Sequence, residues 1–110
     1  MARPEPMLRM RVQRSGARAV LHLAGEADVT VEGRLRMRLR DLIDPRRAHP
    51  VTELTVDVAQ LEFVDLAAHD VLVAAADELG SRGGTLVLRA PGRRVRRLLA
   101  LVRSPLAVQD

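Results

Sequence analysis

The sequence predicts a single α/β domain, a mixed four- to five-stranded sheet with helices packed on it in the order β-β-α-β-α-β-α. Three observations carry this. The chain has 110 residues, the size of one hydrophobic core. Its apolar residues, 47% of the total, are almost all Leu, Val and Ala, with Phe63 the only aromatic. Short alternating runs are interleaved with longer runs of helical period, the pattern of strands joined by helices.

The elements follow in order. Leu8, Met10 and Val12 alternate with Arg9, Arg11 and Gln13, which predicts a half-exposed strand over Leu8–Gln13. Ser15-Gly16 supplies a turn, and Ala19–Leu23 reads as the returning strand of a hairpin, ended by a loop at Gly25-Glu26-Ala27-Asp28. Val31–Ile43 is ambiguous at Leu35–Leu39, which alternates. Yet Val31, Leu35, Leu39, Leu42 and Ile43 share one helical stripe, and β-branched residues are scarce there. We read a helix, capped by Asp28 or Thr30, stopped by Pro45, with Met37 outside.

After a loop over Asp44–Pro50, Leu54–Val58 reads as a central strand. Asp65 caps a second helix to about Leu79, with Ala68, Val71, Leu72, Ala75 and Leu79 inward and Gly80 and Gly83-Gly84 ending it. Thr85–Arg89 is a further buried strand. Pro91 opens a last helix with Val95, Leu98, Leu99 and Val102 inside. Residues 1–7 are expected to form a flexible N-terminus, 8–103 the domain, and 104–110 a tail that adds a turn or a frayed strand.

Composition narrows the function. Without cysteine there are no disulfides, thiolate metal sites or thiol nucleophiles. The N-terminus lacks the continuous apolar run of a signal peptide. The longest apolar stretch, Val71–Ala76, falls far short of the roughly 20 residues of a membrane span. The expectation is a cytoplasmic protein without membrane insertion. The net charge of +4 comes from arginine alone, since lysine is absent, which excludes a P-loop or a Schiff-base enzyme. The last helix carries Arg93, Arg94, Arg96, Arg97 and Arg103, but with no aromatics to stack bases it reads as a solvated basic face rather than a nucleic-acid surface.

His22, His49 and His69 show no metal-ligand spacing and read as solvated or hydrogen-bonded imidazoles. Asp28, Asp57 and Asp65 lie near strand ends, so a small Mg²⁺-dependent hydrolase is one alternative; capping roles for Asp28 and Asp65 weigh against it. No catalytic residue, cofactor or metal is expected. On the second helix, Leu66 and Val73 fall outward beside Asp70 and Asp77, an apolar strip that suggests a surface for a protein partner.

The run from Leu54 through Asp57, Phe63 and Asp65, then a helix, Gly83-Gly84, a strand, Pro91 and an Arg-rich helix, resembles the STAS family. This is the sulfate transporter and anti-sigma factor antagonist domain. Gly25-Glu26-Ala27-Asp28 matches its Gly-Glu-Leu-Asp turn, and the resemblance runs from about Leu8 to Val102. It implies a non-catalytic switch that binds an anti-sigma factor of the serine kinase type and releases a sigma factor. It also implies, as an alternative, an accessory or scaffold subunit, for example of a membrane transporter ATPase. The family string Asp-Ser-Ser-Gly, whose second serine accepts phosphate, is replaced here by Asp65-Leu66-Ala67-Ala68. Ala67 stands at the phosphoacceptor position, and all seven Ser and Thr residues lie elsewhere. The expected partner surface is Asp28, Asp65, Leu66, Ala67, Ala68, His69 and Val73, with Phe63 assigned to the core. Self-association into a homodimer is left open.

Overall fold

The computed structural model describes residues 8–27 and 32–110. The expectations for residues 1–7, and for Asp28, Thr30 and Val31, lie outside the described residues. The elements are β1 (Arg9–Ser15), β2 (Arg18–Ala27), α1 (Glu32–Ile43), β3 (Glu53–Val64), α2 (Leu66–Gly80), β4 (Thr85–Arg89), α3 (Arg93–Leu101) and β5 (Ala107–Gln109). They build one mixed five-stranded sheet in sequence order β1-β2-β3-β4-β5. Among the described residues only β1–β2 is antiparallel, closed by a two-residue turn in which Gly16 takes φ +60°. The remaining pairs are parallel, each spanned by one helix.

Alternation decides which side chains go inward. Ala19, Leu21 and Leu23 of β2, Leu54, Val56 and Val58 of β3, and Leu86 and Leu88 of β4 are buried. They form one core with Leu35, Leu39, Leu42 and Ile43 of α1 and Ala68, Val71, Leu72, Ala75 and Leu79 of α2. Val20, His22, Thr55, Asp57, Val87 and Arg89, at the alternate positions, are half-buried on the opposite face. Met37 is exposed, as its place on α1 predicts. At the lower end of the sheet a Cβ on Gly84 would collide with the Thr52 carbonyl oxygen, which accepts the Thr85 amide at 2.9 Å. Only glycine permits that approach.

The structure extends or shifts several elements. β2 does not end at Leu23: Gly25, Glu26 and Ala27 continue it, paired with Leu61, Phe63 and Val64. β3 correspondingly runs six residues past Val58. Register breaks between His22 and Ala24, and again between Gly25 and Glu26, are β-bulges, and Gly25 takes φ +97° there. They change the burial period in β3 from two to three (Val58, Leu61, Val64), so alternation alone misses the upper half of the strand. Helix α3 begins at Arg93, two residues after Pro91, whose carbonyl accepts a hydrogen bond from Arg96 Nε at 2.9 Å. Of its expected inward residues only Val95 is buried, while Leu98, Leu99 and Val102 are half-buried. Ala107–Gln109, in the segment read as a tail, pair with β4 as an edge strand.

Candidate functional site

The junction between β3 and α2 is built by Asp65. Its backbone is extended (φ −94°, ψ 175°), and Oδ1 accepts the Ala68 amide at 2.8 Å, satisfying one of the unpaired donors at the helix start. Its own amide donates to the Ala27 carbonyl at 2.9 Å, so the end of β2 fixes where the helix begins. Beyond this cap the first turn has no acidic residue and no hydroxyl: it consists of Leu66, Ala67, Ala68 and His69.

These residues do not share one surface. Leu66 is 53% exposed and Ala67 half-buried, whereas Ala68 is fully buried and His69 only 5% exposed. Ala68 belongs to the core stripe, so its assignment to a contact surface is corrected. His69 is corrected as a contact residue, and of the two readings of its imidazole the hydrogen-bonded one holds. Its Nε2 lies 2.7 Å from Ser104 Oγ, its Nδ1 lies 3.1 Å from Asp70 Oδ1, and Ser104 Oγ also accepts the Leu106 amide at 3.2 Å. The loop after α3 therefore passes over this side of α2. Leu66, His69, Val73 and Ala76 form one stripe at spacings of three, four and three, and only its first member stands clear. Val73 is half-buried against the core instead of outward.

Phe63 moves the other way. It has the outward parity of Thr55 and Asp57, pairs opposite Glu26 and is 40% exposed between buried Leu61 and Val64. Large apolar side chains thus stand exposed on both sides of Asp65, Phe63 before it and Leu66 after it, with small Ala67 between Leu66 and the buried turn. Exposed apolar groups of this size beside a rigid cap suit a protein contact. Asp28 lies outside the described residues. Helical spacing found Leu66; Phe63 shares the outward parity of Thr55 and Asp57, a signal that shows only when β3 is extended past Val58.

The metal-hydrolase alternative meets a different obstacle. Asp57 is held by protein partners: Oδ2 lies 3.1 Å from His22 Nδ1 and accepts Arg89 NH2 at 3.0 Å, and Oδ1 accepts the Ala59 amide at 3.0 Å. Partial burial opposes ionisation, but the Ala59 amide, the Arg89 guanidinium and His22 outweigh it and hold the Asp57 carboxyl below its ordinary range. Asp65 is committed to its cap. Among the described residues no group of three or more His, Asp or Glu side chains is placed to hold a metal ion, and no helix is long and apolar enough to cross a membrane.

Sheet order, three crossover helices and a capped α2 together define a STAS fold, and the chain belongs to the STAS family. The family model described as "Mlab, STAS domain" matches residues 10–104. No curated protein matches the chain. Solved structures share the fold. The unphosphorylated form of SpoIIAA, an anti-sigma factor antagonist of Bacillus, superposes with a TM-score of 0.81 at 19% identity, over 93% of this chain and 87% of that one. An anti-sigma factor antagonist from Mycobacterium paratuberculosis gives 0.79 at 19% identity, over 94% and 86%. The murine anion transporter Slc26a9 carries a similar domain, with a TM-score of 0.66 at 13% identity over 89% of this chain and 17% of the transporter.

Proposed function

We propose that the chain is a non-catalytic regulator in the cytoplasm that binds an anti-sigma factor of the serine kinase type and frees a sigma factor, without a phosphate switch in α2. The observation that carries this reading is the opening turn of α2: rigidly capped by Asp65, apolar at exposed Leu66, and free of hydroxyls from Leu66 to His69. SpoIIAA, which shares the fold, occurs in unphosphorylated and phosphorylated forms. A phosphate adds about two negative charges at such a surface and opposes docking there. With Ala67 at the family's acceptor position, docking here stays on.

Phe63, Leu66 and Ala67 supply the contact, and Asp65 orders it. Burying a leucine side chain in an interface favours docking by about 1.5–3 kcal/mol. The test is incubation of the full chain with purified anti-sigma serine kinases and ATP, followed by size-exclusion chromatography and intact mass measurement. A stable complex with no added phosphate is expected. Stoichiometric phosphate on α2, or no complex with any such kinase, overturns the reading.

The similar domain carried by the anion transporter Slc26a9 supports a second reading, an accessory subunit of a membrane transporter, for example of its ATPase. The same surface would serve. Capture of a purified transporter ATPase in place of the kinase, lost on Leu66→Asp, selects it.

A further inference from the structure

The face of the sheet turned away from α1 and α2 contains a feature that docking at α2 does not use. A cavity of about 250 Å³ opens where β1, β2 and β3 run side by side, and Arg9, Arg11, His22, Ala24, Asp57 and Gln60 contribute to its lining. It sits at the first register break, between the pairs His22↔Asp57 and Ala24↔Gln60, so β3 has an extra residue where β2 has none. Bulges bend a strand and re-aim its side chains, and they recur beside binding sites for that reason.

The floor is fixed in advance. Asp57 is opposite His22 in one register and opposite Arg89 in the next, and its carboxylate meets both side chains. The other ring nitrogen of His22 lies 2.7 Å from Gln13 Oε1. The result is a hydrogen-bonded row across four strands, Gln13–His22–Asp57–Arg89, whose members hold one another in place.

The rim is cationic. In the β1–β2 register Arg11 is opposite His22 and Arg9 is opposite Ala24, which puts both guanidinium-bearing residues directly across from the bulge. Two residues apart on one strand, they share a face at a separation of about 7 Å. Among the described residues Asp57 is the one acidic side chain in the lining, and it is already balanced by Arg89. The cavity is therefore positive overall, and paired guanidinium groups match the oxygens of a phosphate or carboxylate. The small side chain of Ala24 leaves the space open.

We propose that this cavity is a binding site for a small organic oxyanion, gripped by Arg9 and Arg11 over the His22–Asp57 floor. The site stands independently of the docking turn, and its volume limits the ligand to a body smaller than a drug-sized molecule.

Phenyl phosphate and benzoate serve as probes, titrated into the ¹⁵N-labelled full chain, with benzyl alcohol as the neutral counterpart. Saturating amide shifts at Arg11, His22, Ala24 and Gln60 are expected with at least one anion and not with the alcohol. Phosphate and carboxylate selectivity is read from which anion saturates first. Arg11→Gln should weaken binding about tenfold, the loss of one charge-assisted contact. Ala24→Leu, which changes no charge, should abolish binding by filling the space. Both variants should keep the wild-type melting temperature, since both positions avoid the core. No saturation below ~10 mM, equal response to benzyl alcohol, or unchanged shifts in the two variants overturns the proposal.

Discussion

The two faces of the sheet are made by the same strands yet do different work. Leu21, Val56 and Leu88 face α1 and α2 and are fully or almost fully buried. One residue along, His22, Asp57 and Arg89 face the other way and meet through hydrogen bonds while still touching water. The first set holds the fold by removing aliphatic surface from water, a term that is large and tolerant of direction. The second contributes little net energy per bond but fixes side-chain positions. Alternation thus lets one strand serve stability on one side and specific geometry on the other.

The contrast is broken most severely from the dry side. Leu21→Ala should cost about 3 kcal/mol in chemical denaturation, as a buried leucine removed from a packed core does. Gly84→Ala should cost about 2 kcal/mol, because its methyl group must push the Thr52 carbonyl away and loosen the β3–β4 seam. On the polar face, Asp57→Ala should cost about 1–2 kcal/mol by leaving His22 and Arg89 without their shared acceptor.

Acid sharpens the same difference. The Asp57 carboxyl has a folded-state pKa below its ordinary 3.8, so its stabilising contribution is present above that value. It is lost as pH falls through the lower, folded-state value. Asp57→Asn should flatten this part of the stability–pH curve, whereas Leu21→Ala should shift the curve without changing its slope. At the site, Asp65→Ala should cost about 1 kcal/mol through loss of the cap. Leu66→Ala should change stability by less than about 0.5 kcal/mol while weakening partner binding, a separation that thermal melts and a binding titration would expose together.

Much of this arrangement was legible before any coordinates. The stripes of α1 and α2 come from helical spacing, and the alternation of β1, lower β3 and β4 gives their inward residues. Asp65 announces itself as a cap by its position before an apolar helix. The upper parts of β2 and β3 were hidden because two bulges replace period two with a rhythm that no local pattern reveals. Phe63, expected in the core, has the outward parity of Thr55 and Asp57 once β3 is continued to Val64.

The burial of His69 was hidden because its partner, Ser104, lies 35 residues away on a loop with no periodic signal. The Gln13–His22–Asp57–Arg89 row was equally silent, one residue per strand. Its trace was the matching outward parity of polar residues in neighbouring strands, which becomes meaningful only once the strand order is known.

The unequal lengths of β3 and β4 have a further consequence. Glu53–Asp57 are paired on both edges, but beyond Asp57 the strand is paired to β2 alone, and α2 begins at the end of that narrow ribbon. Amide exchange along this one strand should be graded, slow at Leu54 and Val56 and faster at Leu61 and Val64, since opening a two-strand ribbon exposes less surface than opening the sheet. A partner seated at Leu66 would clamp the looser end, and its arrival would be read as slowed exchange in the upper ribbon with the lower half unchanged.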